Sequence, residues 1–89
     1  DKERIAAVLR DNVAWEMARL GMEDEGELLI AIHDRFPKAK NGLKHEKLLR
    51  KTLLAWLAGT TWAPRIRHLR YVAKVFDTTP ESLVSPTHI

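Results

Sequence analysis

Apolar residues recur along this chain at helical spacing, and nowhere does strict alternation mark a strand. Ile5, Val8, Leu9, Val13, Met17 and Leu20 fall on one stripe with Gly21 as the C-terminal stop, which predicts a helix over 2–20. EDEGELLIAIHDRF opens with acids that complement a helix dipole and continues with Leu28, Leu29, Ile32 and Phe36 before Pro37, predicting a second helix over 24–36. PKAKNG is turn chemistry. A third helix is expected over 44–58, closed by Gly59, and a fourth over 64–76, with Pro64 as its first residue and Ile66, Leu69, Val72, Ala73 and Phe76 as its buried stripe. Thr79 then caps and Pro80 opens a fifth over 80–84, anchored by Leu83. The reading is one all-α domain of five helices over 1–89, with no internal repeat and no low-complexity segment.

Length and composition narrow the class. At 89 residues the chain is near the lower size at which a single core suffices, and with no cysteine it has neither disulfides nor thiolate metal sites. No apolar run approaches the roughly 20 residues of a membrane span, and DKERIAAVLR lacks the apolar centre of a signal peptide, so a cytoplasmic, nucleoid-associated location is expected. An opening on Asp1 rather than Met fits a segment of a longer protein.

Charge changes the picture more. Residues 1–37 carry five basic and nine acidic side chains, net −4; residues 38–75 carry ten basic and one acidic, net +9; residues 76–89 carry two acids, and together these make the +3 of the whole. A +9 segment in an otherwise acidic domain reads as a footprint for a polyanion, because each cation near a phosphate releases condensed counterions. The bland alternative is a solvated basic face.

The predicted third helix has two unlike sides. At 100° per residue, Leu49, Leu53, Trp56 and Leu57 fall in one arc, and Lys44, Lys47, Lys51, Ala55 and Ala58 in the opposite one. An exposed face that is basic along its first half and small along its second suits a major groove, and Arg65, Arg67 and Arg70 just beyond the next turn add an independent basic group.

The run from Lys51 to Gly59, Pro64 five residues later, then Leu69, Val72, Ala73, Phe76 and TTPESLV, resembles the second half of the Cro/lambda-repressor-type helix-turn-helix domain. That family has a Thr-Ile-Ser-x-Trp-x-x-Gly recognition helix, a loop ending in Pro, an apolar fourth helix and a short fifth. The resemblance covers about residues 50–84 and is carried by spacing rather than by any single residue. It implies a lambda-repressor-like, five-helix fold. Arg50, Lys51, Thr52 and Ala55 stand where the family contacts bases and backbone, Trp56 at a packing position, and Arg65 where a basic residue meets phosphate.

Two departures stand out. PKAKNGLK stretches the turn between helices 2 and 3 to about twice the family's length, and the amino end of helix 2, often aimed at a phosphate in the family, here carries Glu23, Asp24, Glu25 and Glu27. Those acids are expected to complement the helix dipole; a contact with RNA polymerase is the second reading.

Enzyme chemistry is not expected. His33 and His45 lack a ligand-spaced partner, and they are read as surface or boundary residues. Ser82 and Ser85 lack a Gly-x-Ser-x-Gly setting, and four glycines make no phosphate loop. His68, amid arginines, is read equally as a phosphate hydrogen-bond donor and as a plain surface residue. Trp62 is read first as packing under its loop and second as lying against a sugar–phosphate strand, and Trp15 is placed in the core.

The expected function is sequence-specific binding of double-stranded DNA by a transcriptional repressor, with helix 3 in the major groove and no cofactor or metal. Lys44, Lys47, Arg50 and Lys51 would meet bases or flanking phosphates, Thr52 and Ala55 would lie at the groove, and Lys38, Lys40, Arg65, Arg67 and Arg70 would clamp the backbone. A two-fold homodimer or a second domain is expected, with Leu83, Val84 and Ile89 of the tail as a candidate dimer contact. The alternative is a protein-interaction module docking an acidic partner. RNA is a weaker third, since only Trp62 and Tyr71 could stack bases near the basic segment.

Overall fold

A computed structural model describes residues 2–36 and 46–88, with backbone alone for 46–49. Five helices make up the described fold: α1 (Lys2–Arg19), α2 (Glu25–Arg35), α3 (Glu46–Ala58), α4 (Ile66–Val75) and α5 (Pro80–Leu83). No strand occurs among the described residues. The expected turn over 37–42, with Lys38 and Lys40, and the expected start of the third helix, with Lys44 and His45, lie outside the described residues, as do the side chains of Lys47 and Leu49, and Ile89.

The helix ends follow from local chemistry. Asp24 caps α2 by accepting the Glu27 N–H at 3.0 Å, and Thr79 caps α5 by accepting the Ser82 N–H at 3.2 Å. Three helices close in the same six-to-one turn: the N–H of Met22 donates to Met17, that of Thr60 to Ala55 and that of Thr78 to Ala73. The left-handed residue in each is Gly21 (φ 74°), Gly59 (φ 75°) and Asp77 (φ 56°). Pro64 is not the first residue of α4. Arg65 takes the cap position in extended backbone, as cap residues typically do, and helix begins at Ile66.

One core joins these elements: α1 packs on α3 and α5, α2 on α3 and α4, and α4 on α5. Trp56 of α3 and Phe76 beyond α4 are its largest fully buried side chains, with Leu9, Leu28, Leu53 and Leu83 around them. Several residues expected inside are not. Ile5 and Leu20 point in the stripe direction but are about two-fifths exposed, since α1, about 27 Å long at 18 residues, outruns the elements that cover it. Ile66 is 52% exposed on the first turn of α4. Trp15 lies off the stripe and stands half out of the core, edge-on to His88 with ring centroids 6.0 Å apart.

The tail differs most from expectation. Leu83 is fully buried in the chain's own core and is not open to a second copy, while Val84 packs against that core and is half-buried. Asn12, buried within the α1 stripe, donates to the Leu83 and Ser85 carbonyls at 2.9 Å each. Glu16, also buried, accepts from Arg19 at 2.5 Å and faces His88 Nε2 at 3.2 Å, while Arg19 reaches on to the Phe76 carbonyl at 3.1 Å. With Nε2 donating to the carboxylate, His88 Nδ1 accepts the Ser82 hydroxyl at 2.5 Å. This polar chain fastens α5 and the tail to α1.

Candidate nucleic-acid interface

The exposed face of α3 is built by the same periodicity that buries Leu53 and Trp56 on its other side. Lys51 and Ala58 are exposed and Ala55 is half-buried, as expected. Leu54, 47% exposed, shares this face and was not singled out by the sequence reading; it stands three residues beyond Lys51 and four before Ala58, which is the spacing that could have found it. An apolar side chain amid cations is suited to contact a thymine methyl or another apolar surface.

Arg50 departs from the simplest expectation. Its guanidinium reaches Glu25 at 3.3 Å, so the start of α3 is tied to the start of α2 rather than being wholly open. The pair is exposed on the Arg50 side and holds by well under about 1 kcal/mol, which leaves the guanidinium free to exchange partners. The acids of α2 also have intrachain roles: Asp24 caps the helix, Glu27 accepts from the Glu23 N–H, and Glu25 pairs with Arg50.

Behind α3, the loop from Gly59 to Arg65 folds over the helix and forms a half-open pocket of about 260 Å³. It is lined by Thr52, Ala55 and Trp56 of α3, Thr61, Ala63, Pro64 and Arg65 of the loop, and His68 of α4. Three of the residues read for DNA contact, Thr52, Ala55 and Arg65, are thus brought together. Arg67 and Arg70 are exposed on α4, and Arg65, Arg67, Arg70 and Lys51 have no carboxylate partner among the described residues. His68 feels this charge: burial first, then the Arg65 and Arg67 guanidiniums, lower its pKa below the ordinary 6.5, so it is neutral at pH 7. Trp62, 49% exposed, does not pack under its loop; the Lys2 ammonium lies over its ring, 4.3 Å from the centroid.

Ser82, His88 and Glu16 form a hydroxyl–imidazole–carboxylate chain of the kind that activates nucleophiles. Neither the α3 pocket nor a shallower hollow beside Leu20 and Val75 is lined by any of the three, and the chain's geometry serves to hold the tail. Among the described residues no three His, Asp or Glu side chains stand together as a metal site would require, and no helix is long and apolar enough to cross a membrane. No protein-family model, no curated protein and no solved structure matches this chain.

Proposed function

We propose that this chain binds double-stranded DNA as a sequence-specific transcriptional repressor, laying the exposed face of α3 in the major groove. The observation that carries this reading is the composition of that face. Lys51, Leu54, Ala55 and Ala58 offer a cation, an apolar contact and two small residues that permit close approach, on a helix whose opposite side is locked into the core. Arg65, Arg67 and Arg70, without acidic partners among the described residues, supply the flanking positive charge that backbone contacts need. Arg50, the exposed member of its pair, would exchange Glu25 for a phosphate. Lys38, Lys40, Lys44 and Lys47 belong to the same proposed surface by sequence alone. The lambda-repressor-like assignment, a homodimer and a contact between RNA polymerase and Glu23, Asp24, Glu25 and Glu27 are parts of this proposal that rest on the resemblance and on charge.

Replacing Ala55 by Trp separates groove entry from flat electrostatic docking. Binding of a labelled duplex, followed by anisotropy, is expected to fall at least about tenfold, the loss of one good groove contact or more. Duplex affinity unchanged in a folded Ala55→Trp variant would contradict insertion and favour the docking of an acidic protein partner.

A further inference from the structure

The pocket between α3 and α4 carries more unsatisfied donors than a structural hollow needs. Trp56 is fully buried, yet its indole Nε1–H, a donor with no alternative role, has no partner, and Trp56 is one of the residues that line the pocket. Buried polar atoms are normally paired, so an orphan at a cavity wall marks a place where something is accepted. His68, on the same wall, also leaves its Nδ1 buried and unpaired. The Thr52 and Thr61 hydroxyls, which line the pocket too, have no partner among the described residues.

The helix geometry adds a separate argument. α4 begins at this pocket, and Arg65, its cap residue, makes no side-chain capping bond. The first N–H engaged in the helix ladder is that of Leu69, which leaves the N–H groups of Ile66, Arg67 and His68 without intrahelical acceptors. Helix N-termini ordinarily carry Asp or Glu in the first turn; this one has no acid and three basic or ionisable neighbours instead. Positive charge stacked on the positive end of a dipole is unfavourable unless an anion offsets it.

We propose that this pocket is a phosphate-oxyanion site, in which the Trp56 indole N–H, the Arg65 guanidinium, the Thr52 and Thr61 hydroxyls and the first turn of α4 hold one phosphate group. Phosphate suits the donor set better than carboxylate does, because the donors come from two helices and a loop and match a tetrahedral set of oxygens rather than two coplanar ones. The volume of about 260 Å³ lies just under the roughly 300 Å³ at which drug-sized ligand pockets begin, which limits the occupant to one phosphate and a small substituent. The phosphate could be that of a free monoester or one of a nucleic-acid backbone. The site does not depend on α3 entering a groove.

The test is an NMR titration of the whole chain with inorganic phosphate, with chloride at equal ionic strength as control. It is expected to move the Trp56 indole N–H resonance saturably and to raise the pH at which His68 titrates. Trp56→Phe, which removes the donor and leaves a small cavity in the core, is expected to weaken phosphate about tenfold, the size of one charge-assisted hydrogen bond. Arg65→Gln, at an exposed position, gives the same readout should Trp56→Phe fail to fold. A response of these resonances to inorganic phosphate assigns the site to a free phosphate group, and a response to an oligonucleotide alone assigns it to a backbone phosphate. Silence of the Trp56 and His68 signals toward both overturns the proposal, whatever the duplex affinity of the protein.

Discussion

At the residue scale, the most consequential side chain outside the basic surface is Asn12. It sits in the middle of an apolar stripe and makes two short bonds to carbonyls that no helix satisfies. Asn12→Ala leaves the buried Leu83 carbonyl without a donor, while the Ser85 carbonyl keeps only the His88 N–H at 3.3 Å, and urea unfolding is expected to show a loss of about 1–3 kcal/mol. A change of only a few tenths would mean that water replaces the amide. His68 gives a pH signature. Its folded pKa lies below the unfolded value of 6.5, so the folded state resists protonation. Stability is therefore full above pH 6.5 and declines as pH falls from there through the lower folded pKa. His68→Gln is expected to flatten this slope in a pH series of thermal melts; an unchanged slope would place the titration in another histidine. Sequence reading missed Asn12 and Glu16 for a physical reason. A polar residue in a helical stripe is ambiguous until its partner is known, and these partners lie about seventy residues away in the chain.

At the scale of elements, helix ends were the most legible feature, because caps are local. Gly21, Gly59, Thr79 and Pro80 act where turn chemistry places them. Asp77 was not foreseen as the third left-handed stop, since aspartate occupies that conformation less readily than glycine. Asp77→Gly is expected to raise stability by about 0.5 kcal/mol, relief of the left-handed strain slightly exceeding the added chain entropy. The mirror change, Gly59→Ala, meets both a φ of 75° and the Arg10 side chain 3.2 Å from the new methyl group. Comparative melts of the two variants should therefore move in opposite directions, and a shared direction would contradict the account of these turns. What periodicity could not give was coverage: Ile5, Leu20 and Ile66 all lie near an apolar stripe, and whether a neighbour reaches them depends on the lengths and offsets of other helices.

At the scale of the whole molecule, five short helices meet in one cluster within about 35 × 23 × 21 Å, and the tail is bonded back across α1. Such a body can hold α3 rigidly with one side in the core while its other side stays open, which is what readout of a groove requires. The candidate site was half visible beforehand. Charge and helical phase pointed to Lys51, Ala55 and Arg65, whereas the pocket joining Thr52, Trp56 and His68 depends on how the loop from Gly59 folds over α3. The central claim is that the basic surface grips duplex DNA. Anisotropy of labelled random-sequence duplex and single-stranded oligonucleotides, titrated at low and moderate salt, tests it most directly. Engagement of about five phosphates predicts that log K falls with log salt at a slope of about −4 to −5, with duplex preferred over single strand. No binding to either at low salt would contradict the claim.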